Sequence, residues 1–373
     1  MNIHKKRFWI TSFTLIGSII GAGFLGLPYV FSKSGFLIGL FWLVLLGGIL
    51  CYSKLALGEV TLRTKEQHQL TGYAKKYLGE KGKAIAFFSM FFGIYSALLA
   101  YLIGEGQSLS LLFTGSLNNA FLFGFGFWLI MTLLLQEGLR GLKKVESRGV
   151  LVIMVTILII FILFLPNVNF SNLNYIKTEN LLIPFGVTLF ALLGFVAIPE
   201  LRREIKGSEK MLKKSILFGS IVPIFLYAIF SFALVGVLGE NVNEVATLSF
   251  DNIIVVLGIF TMLTSYFVLS FALGDMFFYD FHKDKRLRFI FVSVIPLLLY
   301  TFITFFDLAS FIMVLGIGGV ISGGIDGILA LLMNMKAKKL GDRKPEYSLT
   351  INWVVVFLIM AVFVFGVIVE LFL

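Results

Sequence analysis

Two long apolar segments of this 373-residue chain contain glycine at positions that weaken a regular helix. Residues 16–28 carry four glycines and a proline, and residues 183–200 carry Gly194 near their centre. Glycine and proline are the poorest residues in a helix interior, and unwinding in an apolar medium leaves backbone N–H and C=O groups without partners. Freed N–H groups can bind an anion and freed carbonyls a cation, so the pattern predicts a solute site. Close helix packing through Gly17-x-x-x-Gly21 is the alternative interpretation.

Adjacent hydroxyl side chains occur in a third apolar segment, at Thr264 and Ser265. Hard cations prefer oxygen ligands, so these hydroxyls and the freed carbonyls of residues 16–28 could form an oxygen cage for a monovalent cation. In most membrane helices, however, Ser and Thr bond back to the preceding turn. Both interpretations remain open at this point.

Four ionisable residues lie within apolar segments, at Lys54, Glu105, Asp275 and Asp326. A charge at membrane depth is costly and is usually paired or functional. Lys54, Glu105 and Asp275 lie toward segment ends, where a long side chain can reach the interface, and their roles stay undetermined. Asp326 lies deeper and is a candidate ion-coupling residue, as a proton relay or as a member of an ion pair.

The chain offers few residues for metal-assisted catalysis. Its single cysteine, Cys51, excludes a disulfide within the chain, and its three histidines (His4, His68 and His282) lie outside the apolar segments. A catalytic metal site usually needs clustered histidine, cysteine or carboxylate ligands. We therefore predict that the protein is not an enzyme and has no resident cofactor.

The overall composition requires a lipid environment. Hydrophobic residues make up 58% of the chain and charged residues 14%, with a mean hydropathy of +0.97, whereas soluble domains carry roughly 25% charged residues. Apolar runs of about 20 residues match the membrane core and must be helical there. We predict an all-α polytopic membrane protein with about eleven spans, near residues 8–31, 35–58, 84–112, 119–136, 148–166, 182–201, 214–238, 251–278, 289–306, 309–334 and 351–372.

Basic residues predict the orientation of these spans. If the N-terminus is cytoplasmic, all 31 Lys and Arg residues except Lys33, Lys54 and Lys177 fall on the cytoplasmic side, as topology rules require. The formal net charge of +10 therefore reflects topology, and we predict no nucleic-acid partner. The expected location is the plasma membrane, with the N-terminus in the cytoplasm.

Several motifs together resemble one transporter family. The chain resembles the amino acid/auxin permeases, and among them the bacterial aromatic amino acid permeases for tyrosine and tryptophan. The matching stretches occur in order along nearly the whole chain: residues 17–28 with Gly35-Phe36, Cys51-Tyr52 with Glu59-Val60, Ala74 to Gly79, Phe88 to Met90 with Tyr95, Gly194-Phe195 with Pro199, and Thr264-Ser265 with Asp280.

The resemblance implies a leucine-transporter-like fold over residues 1–373 as a single transmembrane domain. Two inverted five-helix repeats would occupy about 8–166 and about 182–334, followed by an extra helix at 351–372, with helices 1 and 6 interrupted. The implied activity is symport of an aromatic or other neutral amino acid with a proton or sodium ion, by alternating access. The implied partners are the small-molecule amino acid and membrane lipid; the oligomeric state is not predicted.

The resemblance also assigns roles to residues. The backbone around Ser18, Gly21, Ala22 and Gly23 would hold the substrate carboxylate. Carbonyls near Phe190 and Ala191 would receive its ammonium group, and the side chains of Tyr95, Phe190 and Phe195 would line the pocket. The carbonyls of Gly17 and Ile20 with the hydroxyls of Thr264 and Ser265 match a sodium site. A related alternative is a spore-germination type of receptor subunit that binds an amino acid without pumping it.

Overall fold

The computed structural model describes residues 3–136, 142–249, 252–279 and 285–372, and every regular element in these ranges is helical. The helices that position the site or span the bundle are α1 (Ile3–Ile19), α2 (Gly23–Ser34), α3 (Phe36–Arg63), α4 (Leu70–Thr114), α5 (Ala120–Gln136), α6 (Leu142–Phe164), α7 (Ser171–Asn174), α8 (Pro184–Ala191), α9 (Ile198–Glu204), α10 (Leu212–Leu238), α11 (Asn252–Tyr279), α12 (Lys285–Phe289), α13 (Ile295–Phe305), α14 (Phe311–Gly318), α15 (Gly324–Leu340) and α16 (Trp353–Phe372).

The described residues contain eight helical segments that are long and apolar enough to cross a membrane, and one bent pair, α1 with α2. Two further apolar helices, α5 and most of α16, are somewhat shorter. Each of these segments coincides with a predicted span. The all-α, multi-pass architecture is thus confirmed, whereas the count of eleven crossings and the inverted repeat stay predictions.

The first span is interrupted where its glycines predict. Helix α1 ends at Ile19, α2 begins at Gly23, and their axes differ by 56°. A methyl group built on Gly23 would lie 2.5 Å from the Cα of Ala191, at the end of α8. Glycine is needed here because the backbones of the two interrupted spans touch each other.

The sixth span is interrupted as well. Helix α8 ends at Ala191 and α9 begins at Ile198, and residues 192–194 between them are not helical. Gly194 has a φ of +135°, a conformation that residues with a Cβ rarely adopt. The prediction of two interrupted helices, the first and the sixth, is therefore confirmed.

A third irregular segment faces these interruptions. Residues Gly319–Gly323 form one π-helical turn between α14 and α15, and Gly319 packs against the backbone of Gly186 and Phe190 in α8. Such turns widen a helix locally and are frequent at functional sites. The close approach again depends on the missing side chain of glycine.

The interruptions lie in the buried centre of the bundle, where α2 packs on α8 and α10, and α4 packs on α11 and α15. Outward-facing residues of α6, α13 and α16 are apolar, for example Ile162, Phe305 and Phe357. A large exposed apolar surface fits a lipid environment. The polar groups of the centre are thereby kept away from lipid.

Candidate functional site

A cavity, the central cavity, lies between the two interrupted spans. Its walls come from both interruptions and from α4, α11 and α15. They are formed by Ser18, Ile19, Gly21, Gly23, Ser89, Met90, Gly93, Ile94, Ala97, Tyr101, Phe190, Leu193, Gly194, Phe195, Val196, Leu269, Ser322 and Asp326.

A second cavity, the side cavity, lies on the other side of the first interruption. It is bounded by α1, α6, α11 and one side chain of α4. Ser18, Gly21, Tyr101 and Leu269 line both cavities. The residues between α1 and α2 thus separate two neighbouring spaces.

Most residues assigned to the substrate meet at the central cavity. Ser18, Gly21, Gly23, Phe190 and Phe195 all line it. Their backbones supply two helix ends of opposite polarity: the start of α2 and the end of α8. A helix start attracts anions and a helix end attracts cations, so the cavity matches the two charges of an amino acid.

The other three assigned residues are not among the described walls of the central cavity. Ala22 directly precedes α2 without a side-chain cap, and Ala191 contacts Gly23 through its backbone. Tyr95 lies elsewhere: its hydroxyl donates to the carbonyl of Phe291 at 2.5 Å, and it is not among the described walls of either cavity. Its predicted role as a pocket wall therefore gains no support from its position.

All four residues predicted for a sodium site, Gly17, Ile20, Thr264 and Ser265, line the side cavity together. The Thr264 hydroxyl donates to the carbonyls of Phe260 and Thr261, at 3.0 and 2.9 Å. Back-bonding therefore occurs, as the alternative interpretation expects. It uses only the hydroxyl proton, so the oxygen lone pairs of Thr264 stay available to a cation.

Asp326 lines the central cavity rather than the side cavity, together with residues that are predicted to bind substrate. The side chain is buried and its Oδ1 accepts a hydrogen bond of 2.7 Å from Ser89. Ser89 also lies 3.1 Å from the carbonyl of Ser322, in the π-helical turn. A proton held at Asp326 would therefore face the central cavity.

Sequence reasoning missed one wall of the central cavity. Ser89, Gly93, Ala97 and Tyr101 recur at every fourth position of α4 and all line the cavity. Residues four apart share one helix face. The spacing of these small and polar residues therefore indicates a common face of α4 that could line a cavity. The Tyr101 hydroxyl contacts the backbone of Ala22 and the side chain of Ser265, and so lies between the two cavities.

The structure also shows the surroundings of Lys54 and Glu105. Lys54 is 1% exposed and donates from Nζ to the carbonyl of Leu192 at 2.9 Å. Glu105 is buried beside the backbone of Leu263. Neither side chain reaches an interface, so snorkelling does not describe them. The side chain of Asp275 and the residue Asp280 lie outside what the structure describes.

A family model and several known transporters match this chain. The family model described as the tryptophan/tyrosine permease family matches residues 4–372. The tyrosine-specific transport system 1 of Haemophilus influenzae is 27% identical over 60% of this chain and 56% of its own length. The glutamine transporter 2 of Aliivibrio fischeri is 24% identical over 76% of this chain and 78% of its own length. This chain thus spans little more than half of the first relative.

Two further matches agree with these. The tryptophan-specific transport protein of Shigella flexneri is 24% identical over 73% of both chains. Among solved structures, a manganese transporter of Eremococcus coleocola superposes with a TM-score of 0.64 over 97% of this chain and 86% of its own, at 13% identity. At that identity the likeness shows a shared fold and nothing about the solute.

Proposed function

Because the chain belongs to the tryptophan/tyrosine permease family, we propose that it is a secondary active transporter that takes up an aromatic or other neutral amino acid. The observation that carries the proposal is the central cavity between two interrupted helices, with the start of α2 and the end of α8 at its walls. The relatives named for tyrosine, glutamine and tryptophan support this substrate class. Membership in a family of permeases also confirms that the protein is not an enzyme.

The proposed binding mode follows from the charges of an amino acid. Its carboxylate would lie against the N–H groups at Gly21 to Gly23, where α2 begins without a side-chain cap, because a helix start favours an anion. Its ammonium group would lie against the carbonyl end of α8. Phe190 and Phe195 would contact its side chain. Alternating access would then open this one cavity to each side of the plasma membrane in turn.

Two places support coupling to an ion. The first is the side cavity, where the four residues predicted for a sodium site lie together. Two backbone carbonyls and two hydroxyls would supply the oxygen ligands of a co-transported sodium ion. The second is Asp326, whose buried carboxylate could carry a co-transported proton. The two candidates differ in place and in chemistry, so one set of gradients distinguishes them.

The decisive experiment is uptake of radiolabelled tyrosine, tryptophan, glutamine and alanine into proteoliposomes. Uptake is measured with an imposed proton gradient, an imposed sodium gradient, both, or neither. Uptake of at least one amino acid that follows one gradient supports the proposal and identifies the ion. Absence of gradient-dependent uptake of all four amino acids refutes it.

A receptor that binds without pumping would give a different result in the same vesicles. Saturable binding of an amino acid with no accumulation under any gradient would favour that alternative. The relatives described above are transporters and lend it no support.

The proposed orientation, with a cytoplasmic N-terminus, is tested by the accessibility of a cysteine placed at Lys5 or at Lys177 to an impermeant thiol reagent.

A further inference from the structure

Helix α8 ends inside the bundle, so the carbonyls of its last turn must find donors other than a next helical turn. The N–H of Leu192 reaches the carbonyls of Thr188 and Leu189, at 3.2 and 3.3 Å. The N–H of Leu193 reaches the carbonyl of Phe190, at 3.2 Å. The backbone thus satisfies the carbonyls up to Phe190, and those that follow need side chains or a ligand.

Two side chains from other helices supply the next donors. The hydroxyl of Tyr227, on α10, lies 3.1 Å from the carbonyl of Ala191. The ammonium of Lys54, on α3, donates to the carbonyl of Leu192 at 2.9 Å. Both side chains are buried, and neither is among the described walls of the central cavity. They therefore approach the end of α8 from the side away from the central cavity.

Tyr227 also connects the two interrupted spans. Its hydroxyl lies 3.0 Å from the carbonyl of Ile19, the last residue of α1, and its ring stacks on Phe24 at 6.1 Å between centroids. One phenol proton therefore serves the ends of two half-helices. Because both ends are held by the protein itself, the interruptions can persist when no solute is bound.

One carbonyl in the interruption of the sixth span, that of Leu193, has no donor among the described residues. Gly194 accepts from the N–H of Ala197, but within the described residues no donor reaches the carbonyl of Leu193, a residue that lines the central cavity. Leu193 is partly buried, and a backbone carbonyl is a strong hydrogen-bond acceptor, so a ligand in the cavity that donates N–H groups can pair with it.

We propose that Lys54 and Tyr227 are positioning residues that occupy the carbonyls of Leu192 and Ala191 and so leave the Leu193 carbonyl to receive the ammonium group of the substrate. The inference rests on the proposed function and refines it, since it moves the ammonium acceptor from Phe190 and Ala191 to Leu193. Without Lys54 or Tyr227, the orphaned carbonyls would turn toward other donors and displace the Leu193 peptide with them.

The test compares each amino acid with its analogue that lacks the amino group. Binding of tyrosine and of 3-(4-hydroxyphenyl)propionate, and of tryptophan and of indole-3-propionate, is measured as competition against uptake by the whole chain. In Lys54→Met and Tyr227→Phe we expect amino acid affinity to fall about tenfold, the scale of a hydrogen bond to a charged group. The affinity of the analogues should change less than twofold, and Lys54→Arg should restore most of the loss.

Tyr300→Phe is the matched control, because Tyr300 is a buried tyrosine whose hydroxyl meets carbonyls of α5 at 3.3 and 3.4 Å, outside the described walls of both cavities. It should leave both affinities unchanged. Equal losses for amino acid and analogue, or no loss in either variant, would overturn the inference while uptake by the native protein still supports the proposed function. If Lys54→Met does not fold, Tyr227→Phe alone decides between these outcomes.

Discussion

Replacing Gly23 by alanine should separate the two interrupted helices at the point where they touch. The added Cβ would lie 2.5 Å from the Cα of Ala191 and 2.9 Å from its Cβ and backbone N. Carbon atoms pack favourably at about 3.5–4.0 Å, so one of the two backbones must move by about 1 Å. The nearest atoms belong to the backbone, which cannot swing away as a flexible side chain can.

The size of the effect follows from this displacement. Overpacking typically costs about 1–3 kcal/mol, and each 1.4 kcal/mol lost from substrate binding is about a factor of ten in affinity. We therefore expect uptake by Gly23→Ala at low substrate concentration to fall about 10- to 100-fold. The protein should remain folded, because the bundle is held by many other contacts.

The assay is initial uptake in proteoliposomes, normalised to the amount of folded protein by gel filtration and thermal melting. Gly48→Ala is the matched control, because no atom lies within 4 Å of a Cβ built at this position in α3. Gly106→Ala places a Cβ 2.4 Å from the backbone carbonyl of Ala120. Neither residue is among the described cavity walls, so this variant isolates the effect of overpacking on stability.

Two outcomes would contradict this prediction. Uptake by Gly23→Ala within twofold of the native protein would show that the contact between the interrupted helices does not shape the site. An equal loss in Gly106→Ala would show that any overpacking of the bundle reduces uptake. Either result would refute the reasoning that places the substrate at this contact.

Three further predictions concern ion coupling and stability. Ser265→Ala should reduce sodium-driven uptake severalfold if the side cavity holds the ion; unchanged sodium dependence in gradient experiments would exclude that site. Asp326→Asn should abolish the pH dependence of uptake if Asp326 carries the proton, and a retained pH profile would show that its role is structural. The buried Glu59 carboxylate accepts hydrogen bonds from Arg63, Ser348 and the N–H of Leu349. Glu59→Gln should therefore lower the stability of the protein by about 3 kcal/mol, and an unchanged melting temperature would contradict this.

Much of the fold could be predicted from the sequence. Apolar runs specify membrane helices because lipid cannot pair with backbone groups, and the glycines of residues 16–28 and Gly194 mark the two interruptions because they alone tolerate the close contacts and the φ of +135° found there. The grouping of Gly17, Ile20, Thr264 and Ser265 around one cavity was implied by the family resemblance rather than by spacing.

Two residues show where such reasoning stops. Tyr95 was expected to line the pocket, but its hydroxyl pairs with Phe291 and it is not among the described cavity walls. Asp326 was predicted as a proton relay or a member of an ion pair, and the sequence did not indicate that it lines the central cavity. Helix periodicity determines which residues share a face, but it does not determine which neighbouring helix that face meets.

Local hydrophobicity and backbone freedom can be read along the chain, and they were sufficient to predict a multi-pass membrane protein and the places where two apolar segments are interrupted. The donor that satisfies each freed carbonyl depends instead on how the helices pack. Lys54, Tyr227 and the end of α8 are distant along the chain, and hydrogen bonds between them exist only once the helices have packed.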